Sequence, residues 1–236
     1  MKQDEKLILS RRFAPMFLTQ FFGALNDNVY KQALLLVITY GLIQQQTAPI
    51  STLNNLAALL FILPYFFFSA TAGQIADKYE RSQLVRWIKI LEIIIMLIGS
   101  AGFLLGNLWL LLFALFLMGT HSTCFGPIKY AILPEILKPN ELMSGNALFQ
   151  SGTSMAILLG MILGGAVIAS SDENLLWISI TVVTIACLGY LSSRFILPQK
   201  IAAPDLQIDW NFIRTSFQTL KYAKSLPIVF TILLGN

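Results

Sequence analysis

The chain has 236 residues, of which 56% are apolar and only 12% charged, and its mean hydropathy is +0.70. That balance excludes an ordinary water-soluble domain, and recurrent apolar runs of spanning length mean that lipid, rather than a self-made core, covers much of the surface. The net charge of +4 would suit nucleic acid, but the basic residues fall where membrane topology wants them. Residues 1–10 include Asp4 and Glu5 and lack a short apolar core with a cleavage site, so no cleaved signal peptide is expected. Cys124 and Cys187 lie inside apolar runs and read as core thiols, with no disulfide, metal site or cofactor expected.

After a polar tail over 1–12, six spans follow at roughly 13–43, 50–76, 84–106, 108–128, 143–170 and 175–197. The tail carries Lys2, Lys6, Arg11 and Arg12, and the second-to-third connection carries Lys78, Arg81, Arg86 and Lys89. The fourth-to-fifth connection carries Lys129 and Lys138; the segment after the sixth span carries Arg194, Lys200, Arg214, Lys221 and Lys224. The other connections, near Gln44–Pro49, Asn107 and Ser170–Asn174, carry none. All sixteen basic residues except Lys31 therefore fall on one side. The positive-inside rule makes that side cytoplasmic, N-terminus included. The positive charge is topological, which removes nucleic acid as a partner.

The first span is interrupted by Asn26, Asp27, Asn28, Lys31 and Gln32. A helix over it is roughly 45 Å long, which puts Asp27 near its centre. A charge at bilayer depth costs from about 2.5 to more than 10 kcal/mol, so an acid there points to a functional site. Asp27 and Lys31 are four residues apart on one face and can neutralise each other. A pair that only locks packing is the plain alternative, but packing alone does not require the three amides beside it.

In the second span Pro64 predicts a kink. The span ends in Gly73-Gln74-Ile75-Ala76-Asp77-Lys78-Tyr79-Glu80-Arg81. This G-x-x-x-D-K-x-x-R run between the second and third spans resembles the signature loop of the major facilitator superfamily. Gly73 would let another backbone approach closely. Asp77 sits at the unfavourable end of its own helix dipole and needs a positive partner elsewhere. The resemblance implies a cytoplasmic gate latch of Gly73, Asp77, Lys78 and Arg81 that engages a second half; a solvated charged turn is the alternative. Further on, Glu92 is expected to pair locally with Lys89 near the cytoplasmic surface, and the lone His121 reads as hydrogen-bonded packing before a proton relay.

Three further stretches narrow the resemblance. The first is Phe21-Phe22-Gly23-Ala24-Leu25-Asn26-Asp27-Asn28 with Lys31, and the second is Gly126-Pro127-Ile128-Lys129-Tyr130-Ala131-Ile132-Leu133-Pro134. The third is Gly145-Asn146-Ala147-Leu148 with Gly152-Thr153 and Ala156-Ile157-Leu158-Leu159-Gly160. Together they are similar to bacterial lysophospholipid transporters, in the branch found beside or fused to acyltransferase and acyl-carrier-protein synthetase domains. The resemblance covers about Arg12 to Pro198. It implies inward movement of lysophospholipids such as lysophosphatidylethanolamine across the bacterial inner membrane for re-acylation, with an acyltransferase as a possible partner. On that basis Asn26, Asp27, Asn28 and Lys31 form the central polar group, and Lys129 with Tyr130 receives the phosphate as a point charge does. Asn146 and Gln150 join the substrate-binding set. At Gln150 the resemblance leads one to expect glutamate, and an amide there cannot carry a coupling charge.

Gly152, Gly160 and Gly164 have close-packing spacing. Beyond the sixth span, Leu206, Trp210, Ile213, Phe217 and Leu220 alternate by four and three, with Arg214, Lys221 and Lys224 on or beside the other face. That pattern predicts an amphipathic cytoplasmic helix within a linker over 198–225. Residues 226–236 read as the start of a seventh helix, so a fragment is expected, with dimerisation or a truncated product without transport activity as the alternatives. The expected fold is an all-α polytopic membrane protein, with a six-helix bundle over 13–197 that forms the N-terminal half of a facilitator. A multidrug or small-solute exporter and a membrane anchor for an acyltransferase remain the alternatives. No acyltransferase motif, phosphate-cradling glycine loop or metal cluster points to an enzyme.

Overall fold

A computed structural model of the chain describes residues 7–43, 48–170, 174–211, 214–215, 221 and 224–225. Its helices are α1 (Ala14–Thr39), α2 (Ile50–Lys78), α3 (Arg81–Leu104), α4 (Leu108–Ile136), α5 (Leu142–Ala169) and α6 (Leu176–Ser193), and the described residues contain no strand. All but α1 are long and apolar enough to cross a membrane. With 26 residues α1 has the length, but its polar block from Asn26 to Gln32 lowers its hydropathy. The chain is a multi-pass membrane protein.

The helix ends follow local chemistry. Gly41 at φ +65° closes α1, and the Leu42 N–H reaches back to the Val37 carbonyl at 3.1 Å. Gly106 at φ +61° does the same for α3, with the Asn107 N–H on the Gly102 carbonyl at 2.9 Å. Both are left-handed closures that glycine adopts without strain. Asn107 then caps α4 by accepting the Leu110 N–H at 3.1 Å.

Connections this short make neighbouring helices antiparallel, and polar contacts gather alternate connections at one end. Arg12 donates to the Ile136 carbonyl at 3.0 Å and to Glu141 at 2.6 Å. Arg81 of α3 bonds Glu135 of α4, and Arg86 donates to the Ile196 carbonyl at 3.2 Å. This is the basic end of the sequence reading. Two lysines do not belong to it. The sequence places Lys89 and Lys129 in connections, but Lys89 lies about 12 Å along α3 and Lys129 about 10 Å before the end of α4. The fourth helix runs on past Pro127 and Pro134, which a reading of proline as a stop does not foresee.

α1 packs mainly on α5 and α6, α2 on α4, and α3 on α4 and α6. A Cβ added at Gly160 would lie 2.6 Å from the Leu25 carbonyl oxygen, and one at Gly164 would lie 2.7 Å from that of Val29. Both glycines therefore let α5 rest on the backbone of α1, as their spacing predicts. Gly73 does not act this way: nothing among the described residues lies within 4 Å of a Cβ built there.

Two apolar clusters result, one around Tyr30, Met96, Phe103 and Met118, the other around Phe13, Met16, Val85 and Phe149 at the basic end. The buried polar residues Asn26, Lys89, Glu92 and His121 come between them along the helices.

The linker departs from its predicted form. Leu206 and Trp210, counted into the amphipathic helix, lie in irregular chain. The Ala203 N–H donates to the Asp77 carbonyl at 2.9 Å and the Asp209 N–H to Gln74 Oε1 at 2.9 Å, which holds the segment against the end of α2. Asn211 Oδ1 accepts the Arg214 N–H at 3.0 Å, the geometry of a helix N-cap, so helix begins only after it. Residues 1–6, the helix positions Ile213, Phe217 and Leu220, and the seventh-helix stretch over 226–236 lie outside the described residues.

Candidate functional site

Successive residues on a helix point about 100° apart, so the polar block of α1 divides between two faces. Asn26, fully buried, turns towards α3 and donates from Nδ2 to Glu92 Oε1 at 3.0 Å. Asp27, Asn28 and Lys31 line a cavity of about 230 Å³ together with Phe61 and Tyr65 of α2, Ser122 and Lys129 of α4 and Thr153 of α5.

Asp27 and Lys31 do not form the ion pair their spacing allows. Ser122 Oγ donates to Asp27 Oδ2 at 2.9 Å, and Asp27 Oδ1 has no hydrogen-bond partner among the described residues. Lys31 Nζ instead stands 4.5 Å from the centroid of the Phe61 ring, a cation–π contact. Aromatic packing with α2 competes successfully for the ammonium, and the carboxylate is left facing the cavity. Asn28 bonds its own helix, donating to the Ala24 carbonyl at 2.7 Å.

Lys129 lines the cavity, but its neighbour Tyr130 does not; that ring is 57% exposed on the outside of α4. Asn146 and Gln150 are exposed on α5 and also lie outside the cavity lining. Tyr130 still touches Lys129, whose Nζ stands 5.1 Å from its ring centroid.

A second cavity, of about 270 Å³, adjoins the first and shares Lys31 and Phe61 with it. Its other walls are Leu34, Leu35, Ala57, Ala58, Ile62 and Leu115, with Asn54 as the only further polar side chain. A polar chamber and an apolar chamber thus meet at a cationic side chain.

Lys89 and Glu92 pair at 2.6 Å, as expected from their spacing, but both are buried within the bundle, not near its surface. Glu92 also receives Asn26, and His121 Nε2 lies 3.4 Å from Glu92 Oε2. His121 lacks the hydrogen bonds expected of a packing histidine: neither ring nitrogen has a partner among the described residues. Ser122 was not anticipated at all, since one serine in an apolar helix carries little signal.

In the loop between α2 and α3, Asp77 finds its positive partner locally, at 3.3 Å from Arg81 Nη2. Arg81 is buried, donates from Nε to the Ala76 carbonyl at 3.2 Å and also bonds Glu135 of α4. Lys78 Nζ sits 5.9 Å from the Tyr79 ring centroid. Glu80 caps α3 through the Ser82 and Gln83 N–H groups, and it accepts the Gln199 N–H at 2.7 Å. Burial raises the pKa of Glu80, but these N–H groups and the Ser82 hydroxyl outweigh it and hold the carboxyl below its ordinary 4.5.

With this geometry in view, residues 16–236 match the family model described as Major Facilitator Superfamily. The chain is 28% identical over 196 residues to the lysophospholipid transporter LplT of Pectobacterium carotovorum subsp. carotovorum (strain PC1), which covers 83% of this chain and 44% of that protein. It is 30% identical over 171 residues to the lysophospholipid transporter LplT of Yersinia pestis (strain Pestoides F), with 70% of this chain and 38% of the relative covered. The LplT of Yersinia pseudotuberculosis serotype I (strain IP32953) gives the same values. The chain therefore spans less than half the length of these relatives. The matches point to a transporter rather than an enzyme.

Proposed function

Because the chain belongs to the major facilitator superfamily, we propose that it forms one half of a carrier that moves lysophospholipid by alternating access. The observation that carries this reading is the polar chamber joined to an apolar chamber at Lys31 and Phe61. A lysophospholipid has a phosphate, a polar headgroup and one acyl chain, and the two chambers offer each a suitable wall. Lys31 and Lys129 attract the phosphate, Asp27 accepts the ethanolamine ammonium, and the leucine- and alanine-lined chamber takes the first part of the chain. The names of the relatives agree with that chemistry.

Under this reading residues 13–197 are the bundle, 198–225 link it to a C-terminal half, and 226–236 begin that half. Gly73, Asp77, Lys78 and Arg81 latch against the second half on the cytoplasmic side. Asn146 and Gln150, exposed on α5, complete the site only when that half covers them. The basic end faces the cytoplasm of a bacterial inner membrane, and transport runs inward, delivering lysolipid to an acyltransferase.

The test is uptake of labelled lysophosphatidylethanolamine into spheroplasts by the intact polypeptide and by Asp27→Asn and Lys31→Ala. Each variant is expected to lower uptake at least tenfold at unchanged expression. Normal uptake by both would sink the headgroup role. Failure of the unaltered protein to move lysolipid, with export of cationic dyes, would replace it with a multidrug exporter.

A further inference from the structure

The proposed function uses Lys31 and Lys129, but a third lysine lines the same chamber. Lys89 reaches it from α3, although its side chain is also the ion-pair partner of Glu92. We infer that Lys89 is a switching phosphate ligand, which alternates between Glu92 and the phosphate of a bound lysophospholipid. This rests on the lysophospholipid reading above.

Three observations carry it. The first is charge. Lys31, Lys89 and Lys129 face Asp27 in one chamber, and Glu92 lies just behind it. With Asp27 taken by the ligand's ammonium, three ammonium groups face Glu92 alone, an excess of positive charge that draws the ligand's phosphodiester anion.

The second is what happens to Glu92 when the ammonium turns away. Stripping a buried carboxylate of its only partner would be prohibitive. Glu92 has others: Asn26 Nδ2 already donates to Oε1 at 3.0 Å. His121 Nε2 stands 3.4 Å from Oε2 with neither ring nitrogen otherwise engaged, so the imidazole can supply an N–H in place of the ammonium.

The third is room. Lys89 Nζ lies between glycines of two helices: a Cβ at Gly23 of α1 would come within 2.5 Å of it, and one at Gly189 of α6 within 3.7 Å. The Phe125 ring, itself on the chamber wall, is 5.2 Å from Nζ and offers the cation an aromatic face on the side of the chamber. A lysine ammonium on a flexible four-carbon stem suits such a movement better than the rigid fork of arginine would.

The test compares binding of lysophosphatidylethanolamine and of monoacylglycerol with the same acyl chain, in the intact polypeptide in nanodiscs. The double variant Lys89→Met/Glu92→Gln removes the ion pair as a neutral unit. It is expected to weaken lysophospholipid binding at least tenfold and leave monoacylglycerol binding within twofold. If the unaltered protein prefers the phospholipid and the double variant keeps that preference, Lys89 is a structural ion pair only and the inference fails. If the unaltered protein shows no preference for the phosphate-bearing ligand, the lysophospholipid reading fails and takes this one with it. Gly23→Ala gives an independent sign, needed if the double variant does not fold. By crowding the ammonium off Glu92 it is expected to tighten lysophospholipid binding several-fold, whereas unchanged or weaker binding would count against the switch.

Discussion

Asp27 lines the chamber with one oxygen on Ser122 and the other buried with no hydrogen-bond partner among the described residues. A carboxylate held in this way is suited to an ammonium arriving from outside the chain. Asp27→Asn retains the serine contact and removes only the charge, so its effect should depend on the headgroup. Uptake of lysophosphatidylethanolamine is expected to fall at least tenfold, and uptake of lysophosphatidylglycerol, which has no amine, less than threefold; parallel transport assays on the two lipids decide it. At this scale the sequence was readable wherever a charge interrupted an apolar run, which is why Asp27, Lys31 and Lys129 stood out. It was not readable where helix rotation decides. Asn26 and Asp27 are neighbours in the chain yet face different helices, and Tyr130 faces away from the chamber that Lys129 lines. The preference of Lys31 for the Phe61 ring over Asp27 depends on how α2 packs, which no local spacing encodes.

Single helices carry predictions of a different kind, because they act through packing. Leucine at Gly160 would drive a side chain into the backbone of α1 at Leu25 and Val29. Overpacking of this sort costs about 1–3 kcal/mol, so Gly160→Leu should lower the melting temperature of the detergent-purified protein clearly. Gly73→Ala, at a helical position with open space around it, should not lower that temperature and should raise it slightly. At the start of α3 Glu80 introduces pH dependence. Its carboxyl is held below the ordinary 4.5, so its stabilising contribution is complete above that value and is lost as pH falls through the lower folded-state value. Glu80→Gln should therefore destabilise the protein at neutral pH and flatten the part of its stability profile below pH 4.5, as read by thermal unfolding across pH. Helix existence and order were legible from apolar runs and punctuation, and most boundaries fell within a few residues. The fourth helix outran its predicted end because two prolines that look like stops are accommodated inside it.

Across the whole molecule, burial is uneven. α2 and α5 present many bare apolar side chains, among them Leu59, Phe66, Met155, Leu158 and Ile162. Such faces require lipid or a partner of similar character, and a second half would cover part of them in the proposed carrier. Co-expression of the chain with that half is expected to protect cysteines placed at Met155 and Leu158 from a membrane-permeant maleimide, with Leu97 on α3 as a control that stays reactive. The six-helix plan and the basic end could be read from the sequence; the joining of two chambers at one lysine could not, since it depends on the approach of α1, α2 and α4.

The segment pinned along the end of α2 also sets the length of a leash. Backbone N–H groups at Gln199, Ala203 and Asp209 are already committed to the bundle. In a carrier joined through this linker, the stretch left to separate the halves therefore starts beyond Asp209 rather than at Pro198. A shorter tether confines the far partner to a smaller volume and raises its effective concentration at the docking face. The two halves would then re-associate after each opening as an intramolecular event, even where their mutual affinity is weak.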